Sequence, residues 1–577
     1  MADSSNGQPP GHGTSNNPMA TDFPNPVFTL DDMPPEILAL ILECLVPQPP
    51  EIGDTHPVAY DQLASDEPWF DFTRRRRGLH SVCLVSRRFA EMARPLLYRI
   101  VALCDEPSMV LFLRTMCEKP RYAQWTRHLS CHLTLTSETV IRETRRALTK
   151  YLPSIKLVIE SENLNNMARQ MLAALKFGIQ TNQRTPALPG LVDHYPQLVL
   201  LVILIFLTKL EVLLLQVPIC DDDPEYDRFC EAVKRLFSTY NEPEITPFQN
   251  IHTLLLQGDP DLLEHFEAEN CDCEIPEAWG AQPRQYASLY ESFPNLTTLE
   301  VSADDGIWTN VEEERLSFLV GGRVPTPYLT NIRKIYLHNS LACPRNLHQI
   351  LLNAPKLETL YMTSRPYEPT IETHHDNSTH ADPEAFDFGL MRHAKKLRNL
   401  DISWVDVRGF ECLIGPEGRL AALAQMERLE TLCIQLAVLY GKPSTVAEIP
   451  LVDLLPPNLV ELTLEDWWWQ NADMVEVLPY WDVEDKVKHY QSHHSYRETA
   501  LRTLTQFACD VRTRMSKLKK VVFLCKIPWT WVMEDAVPLE FHFEQLRLMF
   551  NTQDIDFQVN CDEVSEPQTR EVIPGRC

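Results

Sequence analysis

The chain has 577 residues, 44% of them hydrophobic, and carries 53 basic against 80 acidic side chains for a formal charge of −27. That much apolar material excludes a globally disordered chain. The acid excess argues against nucleic acid as the main partner, because phosphate binding needs a basic face. Acidity in a large protein mostly keeps it soluble, so it names no partner by itself.

Residues 1–27 are rich in Ser, Asn, Gly and Pro and have almost nothing to bury, so a disordered leader is expected there. They show neither a basic n-region nor an apolar h-region, and no secretion signal is read. The 16 cysteines are scattered without a CxxC pair and are expected to be reduced thiols. The longest apolar run, Leu198 to Leu207, covers only about half a bilayer span. It is read as a buried helix leading into a strand. No membrane association is expected.

Order is expected from Phe28. Asp31 or Asp32 can cap a helix start, and proline is tolerated in a first helical turn. Ile37, Leu38, Ile41, Leu42 and Leu45 then recur at three- and four-residue spacing, the mark of one apolar helix face. Pro47, Pro49 and Pro50 stop this helix. Residues 47–77 turn polar, acidic and proline-containing and are read as an inserted loop ending in Arg74–Arg77. That arginine run is either a solvated loop or an import signal. A short second helix follows over Leu79, Val82, Cys83 and Val85. Ser86 is the expected N-cap of a third helix carrying Phe89, Ala90 and Ala93, and Tyr98 to Leu103 reads as a strand.

Four separated elements in this order resemble an F-box, in particular that of fungal leucine-rich-repeat proteins. They are Met33-Pro34-Pro35-Glu36-Ile37, then Ile41 and Leu45, then Val82 to Phe89, and finally Pro95-Leu96-Leu97-Tyr98. The long insertion between the first and second helices departs from the family pattern. The resemblance implies docking to a Skp-type linker subunit, and through it to a cullin. The docking residues it implies are Pro34, Pro35, Ile37, Ile41, Leu45, Val82, Val85, Ser86 and Phe89. Some of these must instead hold the helices together, Ile41 and Val82 first among them.

Downstream, an aliphatic–x–x–aliphatic–x–aliphatic signature keeps returning. Its instances are Leu210-Leu213-Leu215, Ile251-Leu254-Leu256, Leu296-Leu299-Val301, Ile332-Ile335-Leu337, Leu357-Leu360-Met362, Leu397-Leu400-Ile402, Leu429-Leu432-Ile434, Leu459-Leu462-Leu464 and Leu518-Val521-Phe523. Pro or Asn often precedes the first position. The spacing is uneven and mostly exceeds the ~20–29 residues of regular leucine-rich repeats, so insertions are expected, and the stretch from 459 to 518 is wide enough to hide a further unit. The last two aliphatics of each signature share one strand face, and stacking the units merges those faces into one core.

The predicted fold is therefore an α/β repeat protein: a three-helix F-box over 28–103, then a leucine-rich-repeat-like solenoid over 104–560, then a flexible tail over 561–577. Parallel strands would line the concave face. Helices such as 347–354 and 420–426 would form the convex one. Residues between the core aliphatics should line the concave face: Glu300, Ser302, Tyr336, His338, Tyr361, Thr363, Asp401, Ser403, Cys433, Gln435, Thr463 and Glu465. Small polar groups with two tyrosines suit protein recognition, although much of such a face can be merely solvated. Trp467-Trp468-Trp469 cannot all face one core, so Trp468 is either an exposed anchor or packed beneath an insertion.

No nucleophile elbow, phosphate-binding glycine loop or H-E-x-x-H is present. His374, His375, Asp376 and His380 are metal-competent but read as a solvated loop, and Cys271 and Cys273 lack a second pair. The expected function is a cytoplasmic or nuclear substrate adaptor of a ubiquitin ligase, non-catalytic and without cofactor, holding an unknown protein substrate. Two other readings stay open. One is a repeat scaffold acting without a ligase; the other is a metal-dependent enzyme with a site near His374–Asp382.

Overall fold

The computed structural model describes residues 33–46, 66–103, 106–132, 195–216, 248–257, 293–302, 327–340, 344–364, 383–403, 420–440, 449–466, 501–525 and 539–561, with short pieces around 146–155, 283–290 and 342. The leader 1–27, Cys271, Cys273, the His374–Asp382 segment, Trp468 and the tail from 562 lie outside the described residues.

Among the described residues, twelve strands form one all-parallel sheet in strict chain order. They are β1 (Ile100–Leu103), β2 (His128–His132), β3 (Val212–Gln216), β4 (Thr253–Gln257), β5 (Thr298–Ser302) and β6 (Lys334–Ser340). The series continues with β7 (Thr359–Ser364), β8 (Asn399–Ser403), β9 (Thr431–Gln435), β10 (Glu461–Asp466), β11 (Lys520–Cys525) and β12 (Asp556–Cys561). Each pairs only with its sequence neighbours, the arrangement of an open α/β solenoid. All nine predicted signatures lead into strands and end on them. Their last two aliphatics point into one continuous core with helical residues, for example Leu299 and Val301 or Leu432 and Ile434. β10 pairs directly with β11, Leu462 opposite Val521, so no further strand of this sheet lies between the 459 and 518 signatures among the described residues.

Three strands carry no aliphatic signature, and in each of them the first position is not aliphatic. Tyr98 fills it before β1, Thr126 before β2 and Asp554 before β12. Tyr98 nonetheless packs against the core, and Thr126 is fully buried. Asp554 has φ of 58°, a left-handed turn that brings Ile555 N–H back to the Phe550 carbonyl at 3.1 Å.

Each turn into β2 through β11 repeats one hydrogen-bond device. A single carbonyl accepts two successive N–H groups of the next unit: Arg127 from Glu211 and Val212 (2.7 and 3.0 Å), Arg398 from Glu430 and Thr431 (2.8 and 3.0 Å). The asparagines before the signatures reinforce it. Asn250, Asn295, Asn331 and Asn458 donate Nδ2–H to the carbonyls of Thr208, Gln249, Pro294 and Glu427 at 2.6–3.4 Å in the preceding unit. Their preference at this position is therefore a tie between units.

The run at Leu198–Leu207 behaves as expected. It lies in the helix Tyr195–Phe206, buried from Val202 through Leu207, ahead of β3. No helix among the described residues is long and apolar enough to cross a membrane. Helix Pro344–Asn353 covers the expected 347–354 except its last residue, whereas 421–425 is a tighter 3₁₀ turn. Cys44, Cys83, Cys117, Cys131, Cys433 and Cys509 are free thiols.

Among the described residues, three helices precede β1: α1 (Pro35–Glu43), α2 (Asp66–Val85) and α3 (Arg87–Leu97). Here the loop expected over 47–77 needs correction at its end, because α2 starts at Asp66 and Arg74–Arg77 are helical. Acidic residues and Pro68 suggest a loop, yet proline in a first turn costs no hydrogen bond and arginine is a good helix former. Leu42, Leu79 and Ala93 form a small separate core, sealed by Leu45, Val82, Cys83, Met92, Leu96 and Leu97. Arg88 donates to the Met33 carbonyl at 2.7 Å, and Arg99 pairs with Glu43 at 3.2 Å. The Tyr98 ring then lies 4.6 Å from that of Tyr122, tilted by 38°, joining the helices to the sheet.

Candidate interaction surfaces

Two surfaces emerge, and the first is on the N-terminal helices. Pro34 is the N-cap residue of α1 and Pro35 occupies its first position. Leu38 and Leu42 face inward, whereas Ile37, Leu40 and Ile41 are 46%, 65% and 43% exposed. These three stand at i, i+3 and i+4, so α1 has a second apolar stripe turned away from its own core. At the end of α2, Leu79 is buried while Leu84 and Val85 are 74% and 67% exposed. The Ser86 side chain accepts from Phe89 N–H at 3.3 Å and caps α3, as the sequence suggested.

Of the residues the resemblance singled out, Pro34, Pro35, Ile37, Ile41 and Val85 are exposed. Leu45 and Val82 instead pack on the small core between the helices, Phe89 is buried on α3, and Ser86 is a cap. Ile41 was expected among the internal residues and is not. The single stripe read in α1 is two stripes, one on either side. Leu40 and Leu84 were missed. Their signal was an apolar residue beyond the inward-facing set, which helical spacing leaves facing solvent.

The second surface is the sheet face opposite the core. Strand register brings the expected residues into two rows. Glu300, Tyr336, Tyr361, Asp401, Cys433 and Thr463 lie side by side across β5–β10. Ser302 neighbours His338, Thr363 neighbours Ser403, and Gln435 neighbours Glu465. Burial departs from expectation. Glu300, Ser302, Tyr336, His338, Ser403, Cys433, Gln435 and Glu465 are buried, and Tyr361, Thr363, Asp401 and Thr463 are half-buried. These groups are therefore packed, not merely solvated.

Buried polar groups need partners, and most of these have them. His338 Nε2 lies 3.1 Å from Glu300 Oε1. The His338 ring sits 5.4 Å from that of Tyr361, which in turn lies 6.2 Å from Tyr336. Ser403 donates to Glu465 Oε2 at 2.8 Å, and the Cys433 thiol lies 3.9 Å from Oε1 of the same carboxylate. Burial pushes the Tyr361 phenol well above its ordinary range, and Asp401, Cys433 and Glu465 add to the effect. Tyr361 therefore stays a neutral hydrogen-bond donor beside acidic groups. Oε2 of Glu300 is buried without a hydrogen-bond partner.

The face changes character along the sheet. Towards the N-terminus, Leu214 and Leu255 occupy the same row as Glu300. Alternation within the first strands would have located them in the sequence too. No group of three or more His, Cys, Asp or Glu able to hold a metal occurs among the described residues. No protein-family model matches the chain, and no curated protein matches it.

Proposed function

We propose that the chain is a substrate adaptor of an SCF-type ubiquitin ligase, with α1–α3 as an F-box and the sheet as an irregular leucine-rich-repeat solenoid. The observation that carries this reading is the unspent apolar surface of the short helical unit. A helix of nine residues that buries Leu38 and Leu42 and still exposes Ile37, Leu40 and Ile41 fits a partner groove better than solvent. Leu84 and Val85 extend the apolar area. The proposed partner is a Skp-type linker, and through it a cullin, in the cytoplasm or nucleus.

The adaptor contributes position, not chemistry: it holds a protein substrate near an active site carried by other subunits. The ties Arg99–Glu43 and Tyr98–Tyr122 support this role, because they fix the docking helices to the strand array. Co-purification with a Skp-type linker tests the reading. Retention by the wild-type chain and loss of retention in the double variant Ile37→Asp, Val85→Asp are expected. A wild-type chain that does not hold the linker, or a folded double variant that still does, overturns it.

A further inference from the structure

We propose that the buried sheet face centred on Glu300 and Tyr361 binds the guanidinium group of an arginine side chain presented by the protein substrate. This rests on the adaptor reading for the word substrate, but the binding chemistry stands on the site alone.

Glu300 is 4% exposed, and only one of its carboxylate oxygens is used, by His338 at 3.1 Å. A buried carboxylate oxygen without a donor is costly, by about 1–3 kcal/mol or more for a charged group. Such an oxygen is retained at a cost unless a ligand supplies the donor. The ligand must therefore bring N–H or O–H groups into an acidic surrounding. Asp401 lies in the same row and Glu465 in the neighbouring one, and both raise the Tyr361 phenol electrostatically. Three carboxylates on one face favour a cationic donor over a neutral one.

The aromatic rings narrow the class. Tyr336 occupies the position next to Glu300 on β6, and Tyr361 the next one on β7, with ring centroids 6.2 Å apart. A planar guanidinium can donate to a carboxylate oxygen in its own plane while its face rests on a phenol ring, which a compact ammonium does less well. Tyr361 and Asp401, in the same row two and three strands from Glu300, are only half-buried, so a ligand would enter the row from that side.

The probe is N-acetyl-arginine methylamide, compared by ligand-observed NMR with its neutral isostere N-acetyl-citrulline methylamide, on the full-length chain. The wild-type protein is expected to bind the arginine probe at least about tenfold more tightly, the scale of one charge-assisted pair. Glu300→Gln, which keeps shape and removes charge, should bring the two probes to within about twofold. Equal binding of both probes by the wild-type chain overturns the proposal, and needs no variant to fold. So does a folded Glu300→Gln that keeps the full preference. Neither measurement involves the linker subunit. Loss of linker retention with an intact arginine preference would sink the adaptor reading alone, and the reverse result would sink this proposal alone.

Discussion

Ser403 on β8 reaches past the whole of β9 to donate a 2.8 Å hydrogen bond to Glu465 on β10. Both residues are buried, at 5% each, so this is a charge-assisted bond formed out of water. It stitches together two strands that share no backbone hydrogen bonds. Removing the hydroxyl leaves a buried carboxylate oxygen short of a donor. Ser403→Ala is expected to destabilise the chain by about 1–3 kcal/mol, read as a lowered urea midpoint, while Ser403→Thr keeps the oxygen and loses less. An unchanged midpoint for Ser403→Ala would show that the bond is not formed in solution.

The N-terminal helices separate folding from docking residue by residue. Leu79→Ala opens the small core shared with Leu42 and Ala93 and should cost about 2–5 kcal/mol of the stability of that unit. Leu84→Asp acts on a side chain that is 74% exposed, so the unit should stay folded, within about 0.5 kcal/mol. Hydrogen exchange of the 66–97 amides distinguishes the two: faster exchange for the first, wild-type protection for the second.

His128 makes the stability depend on pH. Burial, then the charges of Arg99, His252 and Arg127, lower its pKa from 6.5 to about 4. The folded state therefore keeps His128 neutral, whereas the unfolded state takes up a proton below 6.5. The unfolded state binds more protons between the two values, so stability is full above about 6.5 and falls as the pH drops towards 4. The whole shift is worth at most about 3 kcal/mol. His128→Asn should flatten the slope of unfolding free energy over pH 4–6.5; a variant with the wild-type slope would assign that dependence to other groups.

The turn before β12 is built on a strained residue. Asp554 holds φ at 58°, where a side chain costs about 1 kcal/mol relative to glycine. Asp554→Gly should raise or preserve the melting temperature, whereas β-branched Asp554→Val should lower it by several degrees. The carbonyls of Gln553 and Asp554 also accept from Arg512, so Arg512→Ala is expected to loosen the same turn.

The asparagine ties predict a graded effect along the sheet. Asn295→Ala removes the 2.6 Å bond to the Gln249 carbonyl and should cost about 0.5–1.5 kcal/mol. Asn331, whose bond to the Pro294 carbonyl is 3.4 Å long, should matter less. Chemical denaturation of the two single variants measures the difference.

The strand array was legible because period-two alternation leaves a fixed mark: Leu213 and Leu215, or Leu462 and Leu464, had to face one core. That mark fails where the first position is not aliphatic, as at Thr126 and Asp554, although the strands behind them are ordinary. The residues of the second face, from Glu300 to Glu465, could be named from the same alternation. Their burial could not, because alternation fixes which side of the sheet a residue faces and not what covers that side. The start of α2 was hidden for another reason: Pro68 and the neighbouring acids have the composition of a loop but sit where a helix tolerates them.

Because every strand pairs only with its neighbours in the chain, the ladder is indifferent to how much polypeptide separates them. The connection from β10 to β11 is about threefold longer than that from β6 to β7, and by loop-closure entropy this costs only about 1 kcal/mol more. Each junction is thus a place where length can drift without disturbing the register of Leu462 on Val521. A scaffold with this property can acquire or lose a recognition loop at one junction while the others keep their geometry, so selectivity can change in small, independent steps.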